Sequence, residues 1–215
     1  MNYITFIDGI YRTEITVKKS RFICSIKGDV NKEEAENFIQ SIKKEFPDAR
    51  HNCFAYLIDD NTFRFSDDGE PQGTAGIPIL DILRKRKISE TVVVVTRYFG
   101  GILLGAPGLV SAYTDAIIKA ISEAKIGTKK SMSFFEITAG YQENAQIDNI
   151  SLKKGYKKYS TSYEDVVKSV YIIDLNKQTA FMQDVTESSK GKALINKIKE
   201  EFVKIPLEEI KWKSH

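Results

Sequence analysis

A run of four consecutive valines, Val92–Val95, restricts the fold of this chain more than any other feature of its sequence. Alternate side chains of a strand point to opposite faces of a sheet, so a stretch this apolar and β-branched favours a strand covered on both faces. We therefore predict a central strand over 91–96 with a packed layer on each side. The chain has 215 residues, enough for one large domain or two small ones.

Two long glycine-rich stretches flank this strand. The first loop, Phe65–Gly76, reads Phe-Ser-Asp-Asp-Gly-Glu-Pro-Gln-Gly-Thr-Ala-Gly, and the second loop, Phe99–Gly108, reads Phe-Gly-Gly-Ile-Leu-Leu-Gly-Ala-Pro-Gly. Each lies between a strand-like run and an amphipathic helical pattern. Loops of this length and composition in a compact domain usually carry a function. We expect the functional site to lie at these two loops.

The first part of the chain predicts a sheet with helices packed against it. Its expected elements are an antiparallel meander over 3–7, 13–17 and 21–26 with a turn at Asp8-Gly9, a helix from the N-cap Asn31 to Pro47, a hairpin of 53–58 with 62–65, a helix capped by Thr74, and a helix over 109–124 with Gly127 as C-cap.

Gly127–Ser131 has the composition of a linker, and a second series of elements follows it. Its expected members are a strand at 134–139, a helix at 142–154, strands at 156–162 and 168–174, a helix at 177–188, and a lysine-rich helical stretch at 192–203. This βαββα series becomes ferredoxin-like if 202–205 or 210–212 supplies a last strand. We predict an α+β protein of two domains, 1–127 and 128–215.

Composition excludes several classes of protein. Cys24 and Cys53 form no Cys-x-x-Cys pair, which argues against a zinc knuckle or a dithiol redox site. We expect both to be small buried residues in a reducing cytoplasm. The sequence has neither a signal-peptide pattern nor an apolar run long enough to span a membrane. Residues 1–128 carry equal numbers of acidic and basic side chains, so the net charge of +3 lies in 129–215. That excess permits a polyanionic partner but also fits a solvated lysine-rich face.

Both glycine-rich loops lead into predicted helix N-termini, which favour anions. Arg97, just after the valine strand, could add a bidentate donor to such a site. The alternative is that the glycines serve only tight turns and close packing. Neither loop has P-loop or Rossmann spacing, so we expect no nucleotide and no other cofactor. The candidate binding residues are Arg97, Tyr98, Gly73, Thr74, Gly76, Gly100, Gly101 and Gly105.

The first loop also carries a cluster of carboxylates, Asp67, Asp68 and Glu70, with His51 one predicted hairpin away. Such groups could act as acid and base, or hold a divalent metal. They fit equally an acidic turn that caps a helix, with His51 as an ordinary hydrogen-bonding residue. The spacing does not match a calcium-binding loop, and we assign no metal site.

Aromatic residues offer a second kind of binding. Tyr98-Phe99 next to Arg97 could stack on bases of single-stranded RNA, or one ring could belong to the core. Tyr156, Tyr159 and Tyr163 stand at strand spacing among lysines and leave the same two possibilities open.

Several co-linear motifs resemble the IMPACT/YigZ family. They are Lys19–Phe22, Ala49–Tyr56 with its Ala-x-His-x-Cys-x-Ala-Tyr pattern, Phe65–Gly76, Val95–Ile102 and Gly105–Tyr113. The resemblance covers about 15–125, and 130–215 looks like the smaller C-terminal domain of bacterial members. It implies a first domain similar to the second domain of ribosomal protein S5. It also implies a ferredoxin-like second domain similar to one in translation elongation factor G. Since fold does not determine function, the link to translation is an analogy.

Two hypotheses of function follow, with a third as a variant. The chain is expected to be a non-enzymatic, translation-associated protein that binds RNA, the ribosome or a regulatory protein through the loops. The alternative is a small enzyme, for example a metal-assisted hydrolase of an anionic or peptide substrate, with His51, Asp67, Asp68 and Glu70 as catalytic candidates in a cleft with Arg97. The variant is a protein–protein adaptor that binds no anion.

Overall fold

A computed structural model of the chain describes residues 4–6 and 9–206. The valine run lies in the central strand of a five-stranded antiparallel sheet, as predicted. The strand order is β2-β3-β6-β4-β5, where the strands are β2 Ile10–Val17, β3 Ser20–Gly28, β4 His51–Leu57, β5 Phe63–Ser66 and β6 Thr91–Tyr98.

Helices cover both faces of this sheet. Helix α1, Lys32–Glu45, packs on the face that carries Val92 and Val94. Helices α2, Gly76–Lys85, and α3, Gly105–Glu123, pack on the opposite face, which carries Val93 and Val95. All four valines are fully buried. Burial of such a side chain contributes roughly 1.5–3 kcal/mol, so β6 is the structural centre of this part of the protein.

Helix α1 begins as its sequence predicts. The Asn31 side chain accepts a hydrogen bond from the amide of Glu34, and the Glu34 carboxylate accepts one from the amide of Asn31. This reciprocal capping box satisfies two amide groups that a helix N-terminus leaves without partners.

The N-terminal strands pair differently from the predicted meander. Strand β1, Ile4–Phe6, pairs with β7, Ile126–Ala139, and not with β2. The hairpin is formed by β2 and β3, through Lys18 and Lys19, which both have positive φ angles of 44° and 66°. A two-residue hairpin turn needs such angles, but lysine gives no sequence signal for them. Of the predicted turn at Asp8-Gly9, Asp8 lies outside the described residues.

A second sheet has five strands. In it β7 pairs with β1, β9 and β10, and β9 pairs with β8, which gives the order β8-β9-β7-β10 for its last four strands in sequence. Its further elements are α4 Tyr141–Lys154, β8 Lys157–Tyr163, β9 Val167–Asp174, a short 3-10 helix Leu175–Lys177, α5 Gln178–Ser188 and β10 Leu194–Pro206. Its core contains Phe135, Ile147, Tyr171 and Phe181, from both sheet and helices. The chain as a whole is an α+β protein with two sheets.

The prediction of a helix at 192–203 is wrong. Most of this stretch belongs to strand β10, which also contains the predicted closing segment 202–205. Ala193 and Ile195 are partly buried against the core while the residues next to them in sequence are exposed, as strand alternation requires. The alternative closing segment 210–212 lies outside the described residues.

The predicted linker Gly127–Ser131 lies within β7. Gly127 and Thr128 pair with Thr5 and Ile4 of β1, and Gly127 is not a helix C-cap, since α3 ends at Glu123. The Lys129 ammonium lies 2.6 Å from Asp29 Oδ1, and Lys204 pairs with the other oxygen of the same carboxylate. The partners of Gly127, Thr128 and Lys129 are far away in the sequence, so the linker-like composition of 127–131 did not reveal that this segment is a strand.

The fold divides into two compact units. The first contains the described residues up to 129 together with 204–206, and the second contains 130–203. Among the described residues, no helix is both long and apolar enough to cross a membrane.

Candidate functional site

Asp67 in the first loop holds the start of helix α2. Its Oδ1 accepts hydrogen bonds from the amides of Ala75, at 3.0 Å, and Gly76, at 2.9 Å, and its Oδ2 accepts one from Gly73, at 2.9 Å. An anion at this position satisfies unpaired amides and interacts favourably with the helix dipole. The predicted cap, Thr74, is wrong: Ala75 occupies the N-cap position, and the Thr74 hydroxyl donates to the Pro71 carbonyl at 2.6 Å.

Asp68 joins the first loop to two other elements. Its Oδ1 lies 2.7 Å from the Lys43 ammonium of α1, and its Oδ2 accepts from the amide of Asn52 in β4 at 2.7 Å. Both carboxylate oxygens therefore have a donor, and the side chain fixes the loop against the sheet.

Glu70 lies beneath the first loop in a buried ion pair. Its Oε1 accepts from Arg97 Nη1 at 2.6 Å and from the Tyr113 hydroxyl at 2.9 Å. Arg97 is 5% exposed and Glu70 8% exposed. The guanidinium group of Arg97 also lies over the rings of Phe22 and Phe99. Loss of either partner of such a pair leaves an uncompensated buried charge, so the pair is an essential part of the local fold.

Cys53 lies next to this pair as an inert thiol. Its Sγ lies 2.9 Å from the Asp67 carbonyl oxygen and 3.2 Å from the Tyr113 hydroxyl oxygen, and its single proton is donated to one of them at a time. Burial raises the pKa of the Cys53 thiol and of the Tyr113 hydroxyl. Burial also raises the pKa of Cys24 to about 12. Since the thiolate is the nucleophilic form, neither cysteine is suited to nucleophilic catalysis.

His51 has one ring nitrogen engaged and one directed at Glu70. Its Nδ1 lies 2.8 Å from the carbonyl oxygen of Asp68. A carbonyl only accepts, so Nδ1 carries a proton, and Nε2 is an acceptor in the neutral form of the ring. His51 Nε2 lies 3.9 Å from Glu70 Oε2. The structure thus brings His51 and Glu70 together, while Asp67 and Asp68 are directed to other partners.

The backbone of the second loop packs closely on the turn between β2 and β3. A Cβ at Gly100 would lie 2.0 Å from the carbonyl carbon of Lys19, and the Gly100 amide donates to Ser20 Oγ at 3.2 Å. At Gly76, in the same way, a Cβ would lie 2.8 Å from the amide nitrogen of Ser66. The other candidate glycines, Gly73, Gly101 and Gly105, have positive φ angles.

The side chains of the second loop point outward. Phe99 is 48%, Ile102 41% and Leu103 83% exposed. Tyr98 lies beside them, with its hydroxyl donating to Asp48 at 2.9 Å and the Arg21 guanidinium over its ring. An exposed apolar group on a loop whose backbone is fixed is typical of an interaction site.

A pocket of about 460 Å³ opens between the two loops. Glu70, His51 and Arg97 contribute to its lining, together with Arg50 and residues at the start of α3. Arg50 is exposed, and its side chain forms no ion pair with any described residue. No group of three or more His, Cys, Asp or Glu side chains in the described part of the chain could hold a metal ion.

The tyrosines of the second unit divide between core and surface. Tyr156 packs edge-on against Phe181 and donates to Asp184 at 2.6 Å. Tyr159 and Tyr163 are 68% and 65% exposed on β8. The Tyr163 ring stacks on Tyr141 of helix α4.

The sequence matches the model of the Impact N-terminal domain over residues 18–121. A relative from Bacillus subtilis, described as IMPACT family member YvyE, is 38% identical over 182 residues, which are 84% of each protein. The chain belongs to the IMPACT family. The Escherichia coli IMPACT family member YigZ is 33% identical over 188 residues, which are 86% of this chain and 92% of that protein.

Two further comparisons add a solved structure and a eukaryotic relative. A solved crystal structure of a hypothetical protein, 31% identical, covers 93% of this chain and 98% of its own, with a TM-score of 0.57. The Dictyostelium discoideum protein IMPACT homolog is 36% identical over 99 residues, 42% of this chain and 28% of that protein. The IMPACT homology therefore includes eukaryotic proteins, over 42% of this chain.

Sequence reasoning missed residues of the site that lie far apart in the chain. Tyr113, Ser20 and Lys43 each bind a predicted loop residue, but only the first two fall within family motifs, and Lys43 belongs to an ordinary helix. Arg50 stands just before the predicted hairpin, and only its proximity to His51 in sequence could have drawn attention to it.

Proposed function

We propose that this IMPACT family protein is a non-enzymatic, translation-associated binding protein. It engages RNA, the ribosome or a regulatory protein through a loop surface that consists of Arg50, Tyr98, Phe99, Ile102 and Leu103. The observation that carries the proposal is that the side chains of the two loops point in different directions. The carboxylates of the first loop bind groups inside the protein, whereas the apolar side chains of the second loop are directed to solvent.

The homology with eukaryotic IMPACT proteins supports a regulatory role connected with translation. As part of the proposal, residues 1–127 form an Impact N-terminal-like domain similar to the second domain of ribosomal protein S5. Residues 128–215 form a ferredoxin-like domain similar to one in elongation factor G. The strand order β8-β9-β7-β10 supports the second assignment. We also place the protein in the cytoplasm, which is consistent with its two free, buried cysteines.

The candidate binding residues have two roles in this proposal. Arg97, Thr74 and the glycines at 73, 76, 100, 101 and 105 shape the two loops. Tyr98 and the apolar side chains of the second loop contact the partner. The exposed Tyr159 and Tyr163, with the excess positive charge of 129–215, add a second contact if the partner is RNA.

Two exposed leucines provide a matched test of the loop surface. Leu103 lies on the second loop at 83% exposure, and Leu152 lies on α4 at 85% exposure. Tagged wild-type protein, Leu103→Asp and Leu152→Asp are isolated from native extract at low and high salt, and the associated RNA and proteins are sequenced. We expect the wild type and Leu152→Asp to retain ribosomal particles, RNA or one regulatory protein, and Leu103→Asp to lose them.

The outcomes separate the alternatives. A partner that high salt releases is held largely by charge and favours RNA, since counterion release makes such binding strongly salt-dependent. A partner retained at high salt favours a protein. A wild type that is isolated with no partner at either salt concentration contradicts the proposal.

A second candidate is a small enzyme acting on an anionic or peptide substrate. It is favoured by the position of His51 Nε2 beside the Glu70 carboxylate at the pocket, where Arg97 could bind an anion. A metal-assisted form has no support among the described side chains, since no three of them could share an ion. Turnover of a metabolite or peptide library that His51→Gln abolishes at unchanged melting temperature would establish this candidate.

A further inference from the structure

The floor of the pocket presents two hydrogen-bond acceptors side by side. Glu70 Oε1 already has two donors, whereas Oε2 accepts no hydrogen bond from the described residues. His51 Nδ1 donates to the Asp68 carbonyl, which leaves Nε2 of the neutral ring as an acceptor. Nε2 and Oε2 lie 3.9 Å apart. One group with two N–H bonds can reach both acceptors at hydrogen-bond distances of about 2.9 Å.

The buried carboxylate makes this pair significant. The Glu70 side chain is only 3% exposed and contributes to the lining of the pocket. Hydrogen bonds to an ionised carboxylate are stronger than those between neutral groups. A ligand that donates to Oε2 from the pocket gains such a bond.

The rest of the pocket lining includes an apolar wall and an exposed arginine. The wall consists of Phe99, Leu103, Leu104 and Leu109. Arg50 also lines the pocket, and its exposed guanidinium group has no ion-pair partner among the residues described. An arginine with free donors binds a carboxylate in bidentate geometry. The pocket therefore offers acceptors for an ammonium group at Glu70 Oε2 and His51 Nε2, and donors for a carboxylate at Arg50.

We propose that the pocket binds a short peptide by both of its ends, with the ammonium group on Glu70 and His51, the carboxylate on Arg50, and an apolar side chain on the wall. A volume of about 460 Å³ lies in the range of small-molecule sites and accommodates a dipeptide. The pocket shares Arg50, Phe99 and Leu103 with the proposed loop surface, but the inference goes beyond the proposed function because the ligand is small and needs no macromolecular partner.

Three dipeptide probes test each end separately. The full-length ¹⁵N-labelled chain is titrated with leucyl-leucine, with N-acetyl-leucyl-leucine, which lacks the ammonium group, and with leucyl-leucinamide, which lacks the carboxylate. We expect saturable shift changes at the amides of Gly69, Glu70 and Gly105 with leucyl-leucine. Each blocked probe is expected to bind at least about tenfold more weakly, the usual cost of one lost charge-assisted hydrogen bond.

Variants assign each end of the probe to its residue. With Arg50→Gln, leucyl-leucine and leucyl-leucinamide are expected to bind equally, while acetylation still weakens binding. With His51→Gln, the acetylated and free probes are expected to approach each other in affinity. Arg84→Gln removes an arginine that lies over Phe63 on α2, outside the pocket lining, and serves as the control.

The proposal is overturned by no saturable shifts with leucyl-leucine, by equal binding of all three probes to the wild type, or by an equal effect of Arg84→Gln and Arg50→Gln. These titrations contain no extract, so their failure is distinguishable from failure of the co-isolation experiment.

Discussion

The two glycine-rich loops differ in composition and in the direction of their side chains. In the first loop the polar side chains turn inward: Asp67 binds three backbone amides, and Glu70 pairs with Arg97. In the second loop the backbone is held, by the fit of Gly100 against Lys19, and the side chains of Ile102 and Leu103 turn outward. Charge in a loop therefore does not show that its side chains face solvent. Here the charged loop supplies structure and the apolar loop supplies the exposed surface.

The largest effect is expected from Glu70→Gln, which should destabilise the protein by about 3–5 kcal/mol because Arg97 is left buried without its counter-charge. Urea denaturation measures the free energy of unfolding. Glu36→Gln is the control, since Glu36 pairs with the exposed Arg64 and such surface pairs contribute about 0–1 kcal/mol. Equal losses in the two variants would show that the first loop does not depend on its buried pair.

Gly100→Ala is expected to destabilise by about 3 kcal/mol, since the new methyl group meets the Lys19 backbone and the loop must move. Gly101→Ala is the matched variant. No atom lies within 4 Å of its Cβ position, so its cost is limited to about 1 kcal/mol for a positive φ of 83°. Melting temperatures compare the two. A larger loss at Gly101 would mean that the fit to the β2–β3 turn is not what holds the second loop.

Asp67→Ala is expected to cost about 2 kcal/mol, because the amides of Gly73, Ala75 and Gly76 lose their common acceptor. Hydrogen exchange should show the loss as faster exchange at the start of α2. Asp81→Ala, an exposed change on the same helix, is expected to leave both stability and exchange unchanged. Similar exchange in the two variants would rule out Asp67 as the cap.

The smallest effect on stability, less than about 0.5 kcal/mol, is expected from Leu103→Ala, since an exposed side chain away from special features contributes little to folding. The same variant should nevertheless lose the partner in the co-isolation experiment. A destabilisation comparable to that of Asp67→Ala would show that the second loop, like the first, serves the fold.

The sequence predicts well where the determinants are local. The valine run identifies the central strand, Asn31 and Glu34 identify a helix start, and the hairpin of β4 and β5 follows from its turn residues. Of the candidate site residues that the sequence offers, His51, Glu70 and Arg97 line one pocket beside the loops.

The errors have a common physical origin, which is competition from partners distant in the chain. Thr74 has the right residue type for a cap, but Asp67 reaches the same amides across the loop. The glycine and lysines of 127–131 suit a linker, but pairing with β1 makes them part of a strand. Similarly, the sequence suggests Arg97 as a donor for a ligand, but the structure buries it in an ion pair with Glu70.

The ion pairs of Asp29 have a consequence for the order of events during synthesis. This carboxylate emerges early from the ribosome, Lys129 appears later, and Lys204 emerges only when the chain is nearly complete. Domains generally begin to fold from the N-terminal side as they are made. The first unit of this protein can therefore acquire its central sheet early, but it gains its last ionic contact only after the whole second unit has been translated.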